Sequence, residues 1–332
     1  MKAHVLTVCC FMAAAVLFFN SACSFTIANG KTILPSKKYV TKTITVTHVT
    51  AITTSASVNV FYYQTPGNPR VEIYAPDNIL PYVKVSVTNG KLEAGMKMKN
   101  GESIKWGDSK CEVRVYAPEV TSFSASSSAD IKLATALNTG KDVFLHASSS
   151  GDVNGGALTC GGLNIAASSS GDVKLSDVTC NKVELNASSS GDIDLNRLNG
   201  KSLSASCSSS GDCTIGILTC SADMDIRTSS SGDCEIKSVT CVGDINAVAS
   251  TSGDVILKSG SCRNAMFSAS TSSNVTADNV KASDIEASAS TGGEVACQPS
   301  GVLTVKISSG GKVGYKGNPT YISGDAKKVS RL

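Results

Sequence analysis

The sequence has few of the large side chains from which a conventional globular core is built. Aromatic residues make up 5% of its 332 residues, with a single tryptophan, and charged residues make up 17%. The chain is long enough for one large domain or two ordinary ones, but such cores would lack bulk. Disorder is also excluded, because Leu, Ile and Val are well represented. The net charge is only +3 without a basic cluster, which argues against nucleic-acid binding.

Metal-binding and membrane-spanning motifs are missing as well. Only His48 and His146 lie beyond the N-terminal segment, and there is no Cys-x-x-Cys pair, so a zinc site is not expected. The calcium-binding nonapeptide pattern is absent. Beyond the N-terminal segment, no stretch of the sequence is long and apolar enough to span a bilayer.

What the sequence does contain is a nine-fold repeat of the motif Ser-Ser-Ser-Gly-Asp, which begins at residues 125–133 as ASSSADIKL. The first step is 22 residues, and the later steps are 20 or 21 residues. A repeat this short and regular is typical of one coil of a solenoid. The acidic position that marks each repeat is occupied by Asp130, Asp152, Asp172, Asp192, Asp212, Asp233 and Asp254, and the series continues with Asn274 and Glu294.

Apolar residues recur at fixed positions relative to the acidic marker. One and three residues after the marker come pairs such as Val173 and Leu175, and a further pair such as Val183 and Leu185 precedes the next marker. This alternation indicates short strands with every second side chain pointing inward. We therefore predict an all-β fold, a single-stranded, right-handed parallel β-helix (β-solenoid) of about 20-residue coils with two or three strands in each.

The chain divides into five segments on these patterns. Residues 1–22 are interpreted as a signal peptide of the lipoprotein type, and residues 23–38 as a linker. Residues 39–118 alternate in the strand manner but lack the repeat, which predicts a less regular β-rich N-terminal part of the solenoid. Residues 119–315 form the repeat solenoid, and the polar residues 316–332 form a C-terminal cap.

The N-terminal segment has the features of an export signal. Lys2 precedes an apolar stretch at residues 5–19, which is too short for a comfortable membrane span. The sequence Asn20-Ser21-Ala22-Cys23 resembles a bacterial lipobox except at its first residue. We expect lipidation of Cys23 and a lipid anchor in the outer membrane, with ordinary cleavage near residue 22 as the alternative.

Five cysteines share one position, eight residues after the acidic marker, and Gly200 interrupts their series. The preferred interpretation is a buried ladder of small apolar side chains. Disulfides between neighbouring coils are the alternative, because rungs of a parallel sheet lie about 4.8 Å apart and an exported protein meets an oxidising compartment. The five are Cys160, Cys180, Cys220, Cys241 and Cys262.

The column of aspartates is the sharpest candidate site. Carboxylates stacked about 4.8 Å apart would repel by about 1 kcal/mol per neighbouring pair even in water, so something must offset the repulsion. We expect each carboxylate to accept hydrogen bonds from its own Ser-Ser-Gly turn, in which glycine supplies the positive φ of a tight bend. Calcium bound along the column is the alternative, and no other cofactor is expected.

Two further polar features could bind a ligand. Stacked serine hydroxyls could form a flat face for a glycan or protein, or could simply satisfy the backbone of the bend. The least repetitive polar patch, around Trp106, is interpreted as an exposed loop rather than a ligand site. An enzyme is not expected, because the acids repeat identically in each coil and no unique Asp, His and Arg cluster stands out. The residues of the patch are Trp106, Lys97, Lys99, Glu102, Lys105 and Asp108.

Over residues 40–332 the chain resembles the putative auto-transporter adhesin, head GIN domain family of Gram-negative envelope proteins. The resemblance rests on Val58-Asn59-Val60 and the turn that follows, on Asp77-Asn78-Ile79-Leu80, on the repeated coils and on the closing residues 315–319. It implies an all-β solenoid and an envelope location, and it brings no catalytic residues. We predict an exported, non-catalytic module that binds a glycan or protein ligand. A passive envelope scaffold and a polysaccharide-active β-helix enzyme are the alternatives.

Overall fold

The computed structural model describes residues 30–332, which are almost entirely β-structure. These residues contain two short 3₁₀ turns, Leu80–Tyr82 and Ala326–Lys328, and no α-helix. The strands of the N-terminal part are β1 (Lys31–Ile33), β2 (Tyr39–Thr45), β3 (Ala51–Thr54), β4 (Asn59–Gln64), β5 (Arg70–Pro76), β6 (Val83–Thr88), β7 (Lys91–Met96), β8 (Glu102–Ile104) and β9 (Glu112–Ala117). The strands of the repeat region are β10 (Ser122–Ala125), β11 (Ile131–Leu133), β12 (Leu137–Asn138), β13 (Val143–Ser148), β14 (Val153–Thr159), β15 (Gly162–Ser168), β16 (Val173–Thr179), β17 (Lys182–Ser188), β18 (Ile193–Gly200), β19 (Ser202–Ser208), β20 (Cys213–Cys220), β21 (Met224–Ser229), β22 (Cys234–Cys241), β23 (Ile245–Ser250), β24 (Val255–Leu257), β25 (Gly260–Ser261), β26 (Ala265–Ser270), β27 (Asn274–Ala282), β28 (Ile285–Ser290), β29 (Glu294–Pro299), β30 (Val302–Ile307), β31 (Lys312–Tyr315), β32 (Tyr321–Gly324) and β33 (Ser330–Arg331).

The described residues form two compact units. The smaller unit consists of residues 30–34 and 98–105. In it, β1 pairs in parallel with β8, and Lys31 lies opposite Glu102. The strand β1 lies in the segment that the sequence predicts as a linker. The larger unit consists of residues 35–97 and 106–332 and contains the repeats.

The larger unit is a β-solenoid, as predicted. Each regular coil contributes one strand to each of two parallel sheets. In one sheet β15 pairs with β13 and β17, and in the other β16 pairs with β14 and β18. The coil therefore has two strands. In the sequence, strand β16 looks like two short strands. The reason is that Ser176 and Asp177 both point outward, which shifts the alternation of buried and exposed residues by one position.

The core consists of columns of small and branched side chains from the two sheets. Val173, Leu175 and Val178 of one coil are buried and stack on the equivalent residues of the next. Fully burying a Val, Leu or Ile side chain contributes about 1.5–3 kcal/mol, so each coil adds several such contributions without any large aromatic residue. Many small increments of this kind explain how a sequence with few aromatic residues forms a continuous core.

The irregular N-terminal part contains a coil that the sequence analysis missed. Strand β3 pairs in parallel with β10, and β4 with β11, so Thr54 lies beside Ala125 and Val60 beside Ile131. Residues 54–60 therefore form a turn equivalent to those of the repeats, with Asn59 at the acidic position. The repeat spacing in the sequence does not reveal this equivalence, because residues 61–121 separate this turn from the next one.

Antiparallel strands close the N-terminal end of the solenoid. Strands β7 and β9 extend the two sheets in parallel beyond β3 and β4. Strand β6 then pairs antiparallel with β7, β5 with β9, and β2 with β5. The parallel stacking of coils therefore stops at this end, where antiparallel strands finish the sheets. At the other end, β32 and β33 extend the two sheets into the segment predicted as a cap.

Candidate functional site

The Ser-Ser-Gly turns of successive coils stack into a continuous edge of the solenoid. In one of them, the Gly171 N–H donates a hydrogen bond of 3.0 Å to the Ser168 carbonyl. The two central residues, Ser169 and Ser170, have φ values of 51° and 61° and are exposed. We call this column of turns, from residues 55–58 to residues 308–311, together with the residue that follows each turn, the turn edge.

The glycines of the turn edge have a different role from the one predicted. Positive φ is found at the two serines and not at Gly171, so the prediction that glycine supplies the left-handed conformation is wrong. A Cβ atom on Gly171 would lie 2.4 Å from the Ser148 backbone nitrogen, and one on Gly191 would lie 2.3 Å from that of Ser168. Glycine is therefore required by the close approach of the preceding coil. The same applies to Gly151, Gly211 and Gly232.

Hydrogen bonds between coils hold the serines in their unfavourable conformation. A non-glycine residue in the left-handed region costs about 1–2 kcal/mol, and the cost is greatest for a β-branched residue such as Thr251 at φ 51°. The Ser170 N–H donates to the Ser189 carbonyl at 3.3 Å, and the Val173 N–H donates to the Asp192 carbonyl at 2.9 Å. Each coil thus fixes the turn of its neighbour.

The aspartates form a hydrogen-bonded ladder along the turn edge. The backbone N–H of Asp172 donates to Oδ1 of Asp152 at 3.0 Å, and that of Asp254 donates to Oδ1 of Asp233 at 2.7 Å. The carboxylate therefore accepts a bond from the next coil, whereas the sequence predicts a bond from its own turn. Intermediate rungs repeat the contact at Asp130, Asp192 and Asp212.

Uncharged residues occupy the same position at the ends of the ladder. Oδ1 of Asn59 accepts from the Asp130 N–H at 3.0 Å, and the Asn274 N–H donates to Asp254. The bond therefore requires an acceptor oxygen but no charge.

Burial, with a further contribution from neighbouring carboxylates, raises the pKa of Asp192 and Asp233. Within residues 30–332, no group of three His, Cys, Asp or Glu side chains is arranged to hold a metal ion.

The predicted cysteine column lies in the core. Cys160, Cys180, Cys220 and Cys241 are buried, Cys262 is half-buried, and all are free thiols in the structure. Cys220 lies beside Cys241 in the parallel register. A hydrogen bond between the two sulfurs lowers the pKa of Cys220 to about 7 and raises that of Cys241. The equivalent contact raises the pKa of Cys160 and lowers that of Cys180.

A cleft of about 380 Å³ lies at the N-terminal end of the turn edge. The sequence groups Trp106 with nearby charged residues, but the structure places it in this cleft with Phe61, which is far earlier in the chain. Trp106 is half-buried and packs against the hydrophobic core. The other lining residues are Ser57, Asn59, Ser109, Lys110, Cys111, Glu112, Ser128 and Asp130.

The opposite corner of the solenoid carries a second ladder that the sequence analysis did not identify. The Asp244 N–H donates to Oδ1 of Asp223 at 2.9 Å, and the Asn264 N–H donates to Oδ1 of Asp244 at 3.2 Å. Arg263 contacts Asp244 at 2.8 Å and lowers the pKa of that carboxyl. A shallow groove of about 640 Å³ runs beside this ladder and includes the exposed Met266.

The predicted signal peptide and lipidation site, Cys23, lie outside the residues that the structure describes. Among residues 30–332, no helix has the length and apolar character needed to cross a membrane. The sequence has no significant match among curated proteins.

Several solved structures are similar to this chain. A structure titled a putative adhesin from Parabacteroides merdae is 19% identical, with 91% of this chain and 99% of that chain covered and a TM-score of 0.33. A second putative adhesin, from Bacteroides fragilis, is 20% identical, with coverage of 90% and 95% and a TM-score of 0.31. A structure titled a putative lipid binding protein, from Parabacteroides distasonis, is 16% identical, with coverage of 91% and 100% and a TM-score of 0.29.

A family-wide comparison covers most of the solenoid. The profile described as putative auto-transporter adhesin, head GIN domain, matches residues 48–237 and 219–319. The match includes the hidden first turn at residues 54–60 and the turn edge. The chain therefore belongs to the putative auto-transporter adhesin, head GIN domain family.

Proposed function

We propose that this protein is an exported, non-catalytic binding module of the cell envelope whose turn edge contacts a glycan or protein ligand. A lipid anchor at Cys23 would hold it to the outer membrane. One observation carries the proposal, namely that the exposed hydroxyl pairs of the turn edge occupy a backbone conformation that glycine adopts more easily.

The hydroxyls are retained at positions where they do not stabilise the turn. Ser169 and Ser170 are exposed, and their side chains have no hydrogen-bond partner among the described residues. Glycine replaces the second serine only in the last two turns, at Gly292 and Gly310, and alanine replaces the first serine only in the first turn, at Ala56. A side chain that costs stability and makes no internal contact is explained by a role outside the fold. A ligand that lies along the turn edge gives the hydroxyl pairs such a role.

The alternatives fit the structure less well. A scaffold that continues the stack of coils from one copy to the next needs parallel edge strands at both ends, but antiparallel β2, β5 and β6 finish the N-terminal end. A polysaccharide-active enzyme needs an acid pair that flanks the scissile bond, whereas the turn-edge aspartates from Asp130 to Asp254 each accept a backbone N–H from the next coil. In the cleft, Glu112 is paired with Arg114.

A binding screen tests the proposal. The purified protein is applied to arrays of glycans and extracellular-matrix proteins, with and without calcium. Specific binding is expected, and calcium dependence would show that a metal ion takes part in binding. The absence of binding in both conditions would overturn the proposal.

A further inference from the structure

We propose that the cleft at the N-terminal end of the turn edge is a saccharide-binding site, with Phe61 and Trp106 as its apolar floor. This inference rests on the proposed function, and it adds a defined site and a ligand class. The repeat pattern that identifies the turn edge in the sequence does not identify this cleft.

Pairing between distant parts of the chain builds the cleft. Asn59 and Phe61 lie on β4, and Asn59 is directly opposite Glu112 of β9. Trp106 and Lys110 belong to the segment that leads into β9. Ser57 and Asp130 belong to the first two turns of the turn edge, so the cleft and the edge are continuous.

The aromatic residues of the cleft stand out in a sequence that has few of them. Aromatic residues are 5% of the chain, and the only tryptophan lines this cleft. Phe61 and Trp106 are half-buried, so part of each ring faces solvent. Partly exposed aromatic rings in a concave site commonly anchor ligands, because they supply a large, rigid apolar area.

The polar groups of the cleft are fixed in position by the ladder. The Asp130 N–H donates to Asn59 Oδ1 at 3.0 Å, and Asp130 Oδ1 accepts from Asp152 at 3.2 Å. Glu112 is oriented by Arg114, whose guanidinium lies 2.7 Å from Oε2. Carboxylate, amide and hydroxyl groups therefore surround the apolar floor in a preorganised arrangement.

A sugar ring matches this combination better than a peptide side chain does. A pyranose has a flat face of C–H groups and a rim of hydroxyls, which complement an aromatic floor and a rim of acceptors. The volume of about 380 Å³ suits a small ligand. A Lys or Arg side chain is disfavoured, because Arg114 already pairs with Glu112 and Lys110 lies in the lining. A longer glycan would continue from the cleft along the turn edge.

The single tryptophan provides a direct test. The fluorescence of Trp106 is followed in the full protein during titration with cellobiose, lactose, N,N′-diacetylchitobiose and mannobiose. We expect a saturable change with at least one disaccharide, with a Kd in the millimolar range or tighter, and reduced quenching by acrylamide. The variant Phe61→Ala should weaken binding by about tenfold or more. The matched control Phe144→Ala, at an exposed phenylalanine of the other sheet, should bind like the wild type.

Several outcomes would overturn the inference. They are no saturable change with any of these sugars at concentrations far above the millimolar range, an unchanged response in Phe61→Ala, or a response to N-acetyl-lysine amide in place of sugars. Circular dichroism of each variant confirms that it is folded. In a further outcome, array binding is unchanged in Phe61→Ala and lost when turn-edge serines are replaced. That result would contradict the assignment of the cleft as a saccharide-binding site and leave the proposed function intact. Array binding that is absent altogether would overturn the proposed function.

Discussion

The backbone N–H of Asp212 donates a hydrogen bond of 3.1 Å to the carboxylate of Asp192, one coil earlier. The bond needs only an acceptor oxygen, since the amide oxygen of Asn59 accepts the same bond from Asp130 at the N-terminal end of the ladder. We therefore expect Asp192→Ala to lower the free energy of unfolding by about 1 kcal/mol and Asp192→Asn to preserve it at neutral pH. Urea denaturation of the two variants checks this, and equal losses in both would contradict it.

The charge at Asp192 predicts a pH dependence. Burial and neighbouring carboxylates raise its pKa in the folded state. The wild type therefore gains stability from protonation of Asp192 as the pH falls, and this contribution is lost as the pH rises through the folded pKa. The stability of Asp192→Asn relative to the wild type should therefore fall as the pH is lowered from neutral. A stability of Asp192→Asn that rises relative to the wild type as the pH falls would contradict the raised pKa of Asp192.

Adjacent residues of one turn should respond in opposite ways to substitution. Gly191→Ala places a Cβ 2.3 Å from the Ser168 nitrogen, and overpacking of this kind costs about 1–3 kcal/mol or more. Ser190→Gly relieves a φ of 62° and should be neutral or stabilising by up to about 1 kcal/mol. Thermal unfolding of the two variants measures the difference. A destabilised Ser190→Gly together with a tolerated Gly191→Ala would contradict the geometry of the turn.

Tyr62 should make the N-terminal part sensitive to alkali. Its hydroxyl donates to the Ala117 carbonyl at 3.1 Å and accepts from the Val120 N–H at 3.2 Å. Burial raises the pKa of Tyr62 to about 12. Its contribution to stability should therefore be present below about pH 10 and fall as the pH rises toward 12. Tyr62→Phe should be less stable at neutral pH but lose less on alkaline titration, and parallel titration curves would contradict this.

The cysteine ladder should remain reduced. Ten cysteines, from Cys111 to Cys297, are free in the structure. We expect all ten to react with a maleimide after denaturation without reductant, including in protein purified from an exported preparation. In the native protein these thiols should be protected, because nine are buried and Cys262 is half-buried. Peptide mapping by mass spectrometry that finds Cys160 joined to Cys180, or Cys220 joined to Cys241, would support the disulfide alternative instead.

The regular part of the fold could be predicted from the sequence because its information is local. Every coil repeats the inward positions of Val173 and Leu175, and the structure buries them in two parallel columns. The number of strands per coil could not be predicted, because the outward Ser176 and Asp177 break the alternation inside a single strand. The role of the glycines could not be predicted from the sequence either, since it depends on contact with the backbone of the preceding coil.

The candidate cleft could not be predicted because its residues meet only through long-range pairing. Asn59 and Glu112 are opposite each other on β4 and β9, although many residues separate them in the chain. One signal could have revealed part of the site: residues 54–60 match the repeat if Val58 is allowed at the glycine position and Asn59 at the acidic one. That alignment would have placed Asn59 at the head of the ladder.

Replacing turn-edge serines by glycine tests the central claim most directly, because glycine removes the hydroxyls without opposing the left-handed backbone. The binding of the wild type and of a variant with Ser189, Ser190, Ser209 and Ser210 replaced by glycine is measured by surface plasmon resonance on the ligands found by the array. We predict a folded variant whose affinity is at least about tenfold weaker. A folded variant that binds like the wild type would contradict the claim that the turn edge is the binding surface.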